Sequence, residues 1–371
     1  MLTSFDDYPI HQSSTPMAHT ATADANHYDR YFFNGYTPDG GLFFALAMGL
    51  YPNRSVADAA FSVVRDGVQT SVFASRRAPA DRRAATTVGP IRVEVVEPLQ
   101  TLRLLIDAPD EGLRAELLFE HRSPVVEEPH FFLRAGTRTF LDYTRLTQFG
   151  RWTGWVEVDS SRIEVTPDEV VGSRDRSWGI RPVGERPTGG APATTAPQFF
   201  WLWAPVNFGT FATHFDVNDF ADGRRWHEFG CVAPDGAEAA VMRTVDWRVD
   251  WRPDTRWAQR FEYDLVGSDD SVSTVRLEPL YEFHMSGIGY GHPEWAHGTW
   301  RGESADGGQR LSLPVDSPTR PDLIHIQAVC SAIFVGADGT TDRGIGILEQ
   351  LCIGPHPTGL TGAFDGYAPS A

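Results

Sequence analysis

The sequence predicts an all-β protein made of two antiparallel β domains in tandem, with few short helices. Three observations carry that expectation. Short apolar runs alternate with period two, turn-forming pairs separate them, and the two halves of the chain echo one another. The first half opens on Phe32-Phe33 and the small-residue apolar run 42–50. The second opens on Phe199-Phe200-Trp201-Leu202-Trp203 and continues through 209–215. Asp66-Gly67 and Asp235-Gly236 mark equivalent turns, and the Trp-rich segment 149–155 has an apparent counterpart in 290–300. The halves close on Asp175-Arg176-Ser177-Trp178-Gly179-Ile180 and on Asp342-Arg343-Gly344-Ile345-Gly346-Ile347. A chain of 371 residues exceeds what one hydrophobic core usually sustains, so two domains of ordinary size follow.

Taken in order, residues 1–26 carry no helical period and read as an extended arm. Residues 27–183 form the first β domain, in which 88–96, 102–106 and 113–120 alternate apolar and polar positions. A single helix is expected near 129–134. Residues 184–197 hold only Pro, Gly, Ala, Thr and two charged side chains, and read as a linker or mobile loop. The strand-and-turn pattern resumes over 198–358, the second β domain, and 359–371 is a Pro/Gly-rich tail. The hairpin 246–260 places Trp247, Trp251 and Trp257 among arginines, the pattern of a cross-strand ladder on a surface.

Composition narrows the function. The net charge is −17, which argues against nucleic acid or an anionic membrane surface as partner, because phosphate binding needs clustered cations. No lysine occurs, which excludes a lysine Schiff base and a P-loop. Cys231, Cys330 and Cys352 form no CxxC pair, so a reducing, cytoplasmic setting is expected. No apolar leader and no run of transmembrane length is seen. GxSxG, HExxH and GxGxxG are absent, and no cofactor or metal is expected.

Two constellations carry chemistry. In Ser173-Arg174-Asp175-Arg176-Ser177-Trp178, strand alternation sends Asp175 and Ser177 to one face and Arg174, Arg176 and Trp178 to the other. This reads either as a salt-bridged rim strand or as a polar anchor in an apolar cavity. The flanking arginines should hold Asp175 charged, as a base or orienting acceptor. The second constellation, 284–303, gathers His284, Tyr290, His292, Glu294, Trp295, His297 and Trp300. Pro293 argues for a loop or a β-hairpin tip, and His292 and His297 lack a helical spacing for a metal. A histidine there would suit acid–base work near neutral pH, against the plainer reading of a hydrogen-bonded turn capping the second domain. Tyr31 sits in the aromatic cluster 28–36, which reads as a cavity mouth or as a plug.

These residues carry a resemblance. Segments 28–33, 51–54, 174–179 and 289–295 resemble the carotenoid 1,2-hydratase/hydroxyneurosporene synthase superfamily, and are closest to a bacterial branch of it. The likeness spreads from about His27 to Gly354. It implies tandem lipocalin-like β-barrels and cofactor-free chemistry on bulky apolar molecules: hydration, dehydration, isomerisation or cyclisation. The family motif Asp-His-x-Trp-Gly stands here as Asp175-Arg176-Ser177-Trp178-Gly179. Asp175 and Trp178 therefore carry over, whereas Arg176 cannot shuttle protons.

The expectation is an enzyme on a terpenoid, steroid or polyketide-like substrate held in a roomy aromatic pocket. Asp175, His284, His292, Glu294 and His297 are the candidates for proton transfer. Tyr31, Arg176, Trp178, Tyr290 and Trp295 are the candidates for substrate contact. A non-catalytic carrier of a lipophilic molecule, or a scaffold with filled barrels, is the alternative. A homodimer is compatible with the sequence.

Overall fold

A computed structural model describes residues 1–81, 85–184, 191 and 196–369, so most of the expected linker 184–197 lies outside the described residues. The first half forms β1 (His27–Tyr36), β2 (Phe43–Tyr51), β3 (Val56–Arg65), β4 (Val68–Arg77), β5 (Thr87–Val88), β6 (Ile91–Glu97), β7 (Thr101–Ala108), β8 (Leu113–His121), β9 (Val126–Glu127), β10 (Phe131–Ala135), β11 (Arg138–Val158), β12 (Ser161–Val165) and β13 (Val171–Ile180). The second forms β14 (Phe199–Trp203), β15 (Val206–Asn207), β16 (Phe211–Asp219), β17 (Arg225–Pro234), β18 (Ala240–Val241), β19 (Thr244–Trp251), β20 (Ala258–Val266), β21 (Val272–His284), β22 (Ser304–Ser312), β23 (Ile326–Val335) and β24 (Thr341–Ile353).

Two antiparallel sheets result. The first runs β22-β4-β3-β2-β1-β13-β11-β8-β7-β6-β5, and the second β18-β17-β16-β14-β24-β23-β21-β20-β19. In both, the opening strand of the half pairs with its closing strand, β1 with β13 and β14 with β24. Each sheet curls on itself. Phe61 and Val72, near one end of the first sheet, share a core with Ile91, Leu104 and Leu117 from the other end. The second sheet closes likewise over Phe215, Phe261, Leu277 and Leu348. The molecule is thus a pair of lipocalin-like β-barrels packed together.

Local chemistry explains the elements. The β3–β4 hairpin turns on Asp66 and Gly67, both at positive φ (50° and 73°), the conformation a two-residue hairpin needs. Every residue of β2 is buried. Leu46 and Met48 face the first barrel's core, while Phe43, Ala45 and Ala47 meet the second barrel. Cover on both faces turns the usual alternation into a continuous apolar run. Residues 1–26 hold a short 3-10 turn, Ser4–Asp7, and then follow the first barrel. There Asn53 Nδ2 donates to the carbonyls of Thr22 and Asp24, both at 2.8 Å.

Four expectations are corrected. Residues 131–135 pair with β11 as a strand, where a helix was expected. The Trp-rich segment 149–155 is the middle of β11, whereas 290–300 is a loop; by strand order the counterpart of β11 is β23. Trp251 and Trp257 are buried in the second barrel's core, and Trp247 stacks on Phe200, so this ladder faces inward. Finally, the loop 285–303 does not cap the second barrel. It crosses to the first and lies on the outer face of β3 and β4, with Ser62 Oγ donating to the Gly287 carbonyl (2.7 Å) and Gln69 Nε2 to that of His284 (2.9 Å). β22 then extends the first sheet by pairing with β4 over its whole length.

Candidate active site between the barrels

The register of β1 against β13 sets Tyr31 opposite Arg176, Phe32 opposite Asp175 and Phe33 opposite Arg174. Alternation then separates the motif into two faces. Arg174 lies over Phe119 and donates to Gln148 Oε1 (2.8 Å). Arg176 lies 4.1 Å from the Tyr31 ring and pairs with Asp29. Trp178 is 41% exposed at the rim. Asp175 and Ser177 instead face the second barrel. The two faces are those expected from strand alternation.

On this inter-barrel face, Arg30, Phe32, Arg145, Asp175, Ser177 and Arg181 meet Trp201, Trp203, Tyr290 and Glu349. The space left among them has room for about one water molecule. The barrel interiors are packed with their own side chains, Phe33, Phe44, Phe61 and Trp152 in the first and Phe215, Phe261 and Tyr263 in the second. The expected roomy cup is absent among the described residues. One cavity lies between the barrels and is lined by both halves; another of similar size lies outside β3 and β4, where Asp58 and Phe73 meet Trp295 and His297 of the 285–303 loop.

Charges are concentrated there. Arg145 is buried and donates through Nε to Glu128 Oε2 (2.9 Å) and through Nη2 to Glu128 Oε2 and Asp216 Oδ2. Thr147 Oγ1 and Trp201 Nε1 donate to the remaining oxygens of the two carboxylates, at 2.5 and 3.0 Å. Burial alone would raise the Glu128 pKa, but Arg145 and His214 hold it below its ordinary value. Glu128, Asp216 and His227 place potential metal ligands within 4.8 Å of one another. The Arg145 guanidinium, bonded to both carboxylates, already supplies the cation, so this donor set does not fit a metal.

Asp175 is pushed up to about 6 by burial, with Arg145, Arg181 and Arg30 pulling the other way and Glu128 adding to the rise. The direction is opposite to the one expected from its flanking arginines, because desolvation outweighs the nearby guanidinium charges. Across the space, Glu349 accepts from Gln327 Nε2 (2.7 Å) and is hydrogen-bonded to His325 Nε2 (2.7 Å). The His325 ring meets Tyr290 edge-on, with centroids 4.8 Å apart. Arg30 is 2% exposed, and none of its three guanidinium nitrogens has a hydrogen-bond partner. Its guanidinium carbon lies 4.4 Å from the centre of the Tyr290 ring.

Of the residues expected to act, Asp175 and Tyr290 come together here. The others lie elsewhere. His284 donates through Nδ1 to the Leu323 carbonyl (2.9 Å), and burial holds its pKa down to about 4. His297 is held down to about 3 by burial, with the Arg30 charge adding. Burial also lowers His292, whose Nδ1 accepts from the amides of Glu294 and Trp295, both at 3.0 Å. Burial lowers all three rings, His292 and His297 where the loop packs on Phe73 of β4 and Asp58 of β3, and His284 beside Trp257 of the second barrel. Glu294 is exposed and bonded to Arg301 (3.1 Å), and Trp295 stacks on Phe73. Sequence reasoning missed Arg30, Glu349 and His325. Arg30 stood inside a segment already singled out, two residues before Phe32. Glu349 and His325 carried no local signal.

The described residues include no helix long and apolar enough to cross a membrane. The fold is similar to that of several crystal structures. An AttH-type protein of Nitrosomonas europaea superposes with a TM-score of 0.54 at 14% identity, over 92% of this chain and 98% of that one. Kievitone hydratase from Nectria haematococca gives 0.53 at 10% identity, over 87% and 88%. CghA in complex with Sch210972 gives 0.51 at 13% identity, over 88% and 89%. These likenesses are of fold and agree with the paired barrels. No curated protein matches the chain in sequence. The profile of a family of unknown function, DUF8625, matches residues 2–361, and the chain belongs to that family.

Proposed function

We propose that the protein is a hydratase-type enzyme, adding water to or removing it from a hydrophobic molecule whose reacting group enters the inter-barrel space. One observation carries this reading. A protonatable carboxyl, Asp175, and the Glu349 carboxylate, backed by its hydrogen bond to His325, face a water-sized space from opposite barrels. In the hydration direction, the Glu349–His325 pair accepts a proton from the bound water as its oxygen bonds to one alkene carbon, and Asp175 gives its proton to the other. Solvent then returns a proton to Asp175 and removes one from the pair, leaving the enzyme unchanged. Dehydration is the reverse. Trp201, Trp203 and Tyr290 supply an aromatic wall that orients an apolar substrate and favours a developing cation. The folds shared with kievitone hydratase and CghA support the reading. The carrier alternative loses ground because both barrel interiors are filled.

The test is isotopic. Protein purified from its host is examined by native mass spectrometry for co-purifying lipophiles, and host lipophile extract is incubated with it in H2¹⁸O or D2O. Wild type should introduce one ¹⁸O by hydration, or solvent deuterium by proton transfer, into a specific compound, and Asp175→Asn should not. Identical labelling by wild type, variant and an enzyme-free blank defeats the proposal.

A further inference from the structure

The inter-barrel space has a charge pattern that hydration of an apolar double bond does not require. Most of its ionic groups are mutually engaged. Glu128 and Asp216 share Arg145, and Glu349 is held by Gln327 and His325. Two cations are not. Arg30 is buried with all three guanidinium nitrogens unpartnered. Arg181 forms no ion pair with a carboxylate among the described residues. It lies 4.6 Å from the Tyr28 ring and 5.6 Å from that of Tyr290, to which it is hydrogen-bonded. Both line the same space as Asp175.

A buried guanidinium without acceptors is costly, since its five N–H donors lose water and gain nothing directional in return. Ring contacts with Tyr290 offset only part of that loss. Such a group is kept where something arrives to fill it, and a planar fork of donors matches a carboxylate or a delocalised enolate oxygen. We infer that the ligand carries an anionic oxygen group, a carboxylate or enolate, seated on Arg30 with Arg181 beside it. This rests on the inter-barrel space being the substrate site. It adds that the apolar substrate has a charged head, and that Arg30 sets specificity for it.

The experiment uses four probes: octanoate and benzoate, with 1-octanol and benzyl alcohol as neutral counterparts. Binding to the full chain is followed by quenching of tryptophan fluorescence, since Trp201 and Trp203 line the space, and by thermal shift. Each carboxylate should bind at least about tenfold more tightly than its alcohol, as expected for a charge-assisted pair that the alcohol cannot form. In Arg30→Met that preference should vanish while alcohol binding persists, and Arg30→Lys should keep part of it. Arg30→Met should also melt no lower than wild type without ligand, because it removes an unpartnered buried charge. Carboxylates that bind no better than alcohols, or no binding by any probe, overturn the inference. So does a preference that survives Arg30→Met, or a markedly lower melting temperature of that variant, which would make Arg30 a structural group. The outcome is separable from the hydratase reading. Solvent labelling abolished in Asp175→Asn without carboxylate preference sinks only the anionic head, and the converse sinks only the chemistry.

Discussion

Arg145→Met is the most direct probe of the electrostatics that hold the barrels together. The guanidinium lies between a carboxylate of the first half, Glu128, and one of the second, Asp216. Removing it leaves two buried carboxylates whose facing oxygens are no more than 4.8 Å apart. At an effective dielectric of about 20, that repulsion is roughly 3.5 kcal/mol, within the range of about 3–5 kcal/mol for breaking a buried ion pair. In wild type, the Glu128 pKa is held below its ordinary 4.5. Its contribution is therefore complete above that pH and lost only as pH falls through the depressed value. In the variant the depression is gone, one carboxyl takes up a proton more readily, and the penalty shrinks by up to about 1.4 kcal/mol per pH unit on acidification. Urea unfolding at pH 7 and pH 5 should show a loss of about 3–5 kcal/mol at pH 7 and a clearly smaller loss at pH 5. A loss below about 1 kcal/mol at pH 7, or one independent of pH, would refute the assignment of Arg145 as the shared counter-ion.

Three further outcomes follow. Because Asp175 is raised to about 6 from an ordinary 3.8, the folded state favours its neutral form. Its contribution is full below 3.8 and is lost as pH rises through 6, so Asp175→Asn should stabilise the protein at pH 8, by up to about 3 kcal/mol, with the gain fading towards pH 4. The same protonation requirement should make wild-type turnover in the Asp175-dependent direction fall as pH climbs above about 6, readable from a pH–rate profile. In β13, a Cβ on Gly172 would come 2.0 Å from the Asn34 carbonyl oxygen and 2.7 Å from Trp152 Nε1. Gly172→Ala should cost about 1–3 kcal/mol or more, whereas Gly209→Ala, with nothing near its Cβ, should be almost neutral in the same urea titration.

The architecture was legible because it rests on signals that repeat along the chain. Alternation in β6, β7 and β8 and the Asp-Gly turns are written locally, and the likeness of β13 to β24 survives as short matching strings. What local pattern could not show is which surface covers another. Trp251 and Trp257 look like a surface ladder until the far side of the second barrel closes over them. The histidines of 284–297 look reactive until β3 and β4 cover His292 and His297 and the second barrel covers His284. Asp175 stands out through its motif, but the motif does not show its protonation. Its neighbours in sequence, Arg174 and Arg176, point to the opposite face, and its neighbours in space come from 30, 145, 181 and 349. The pairing of His325 with Glu349 depends on adjacent strands brought into register, which no spacing in the sequence announces.

The crossing of β22 has a consequence for how the gene can be divided. A first half expressed without residues 304–312 would present β4 as an open margin, its amides and carbonyls along Val68–Arg77 seeking another strand. Such a fragment would be prone to self-association through that margin. The second half would carry a nine-residue ribbon with nothing to lie against. Each portion thus lacks something only the other provides, and one continuous polypeptide guarantees that both are always made in equal number and within reach.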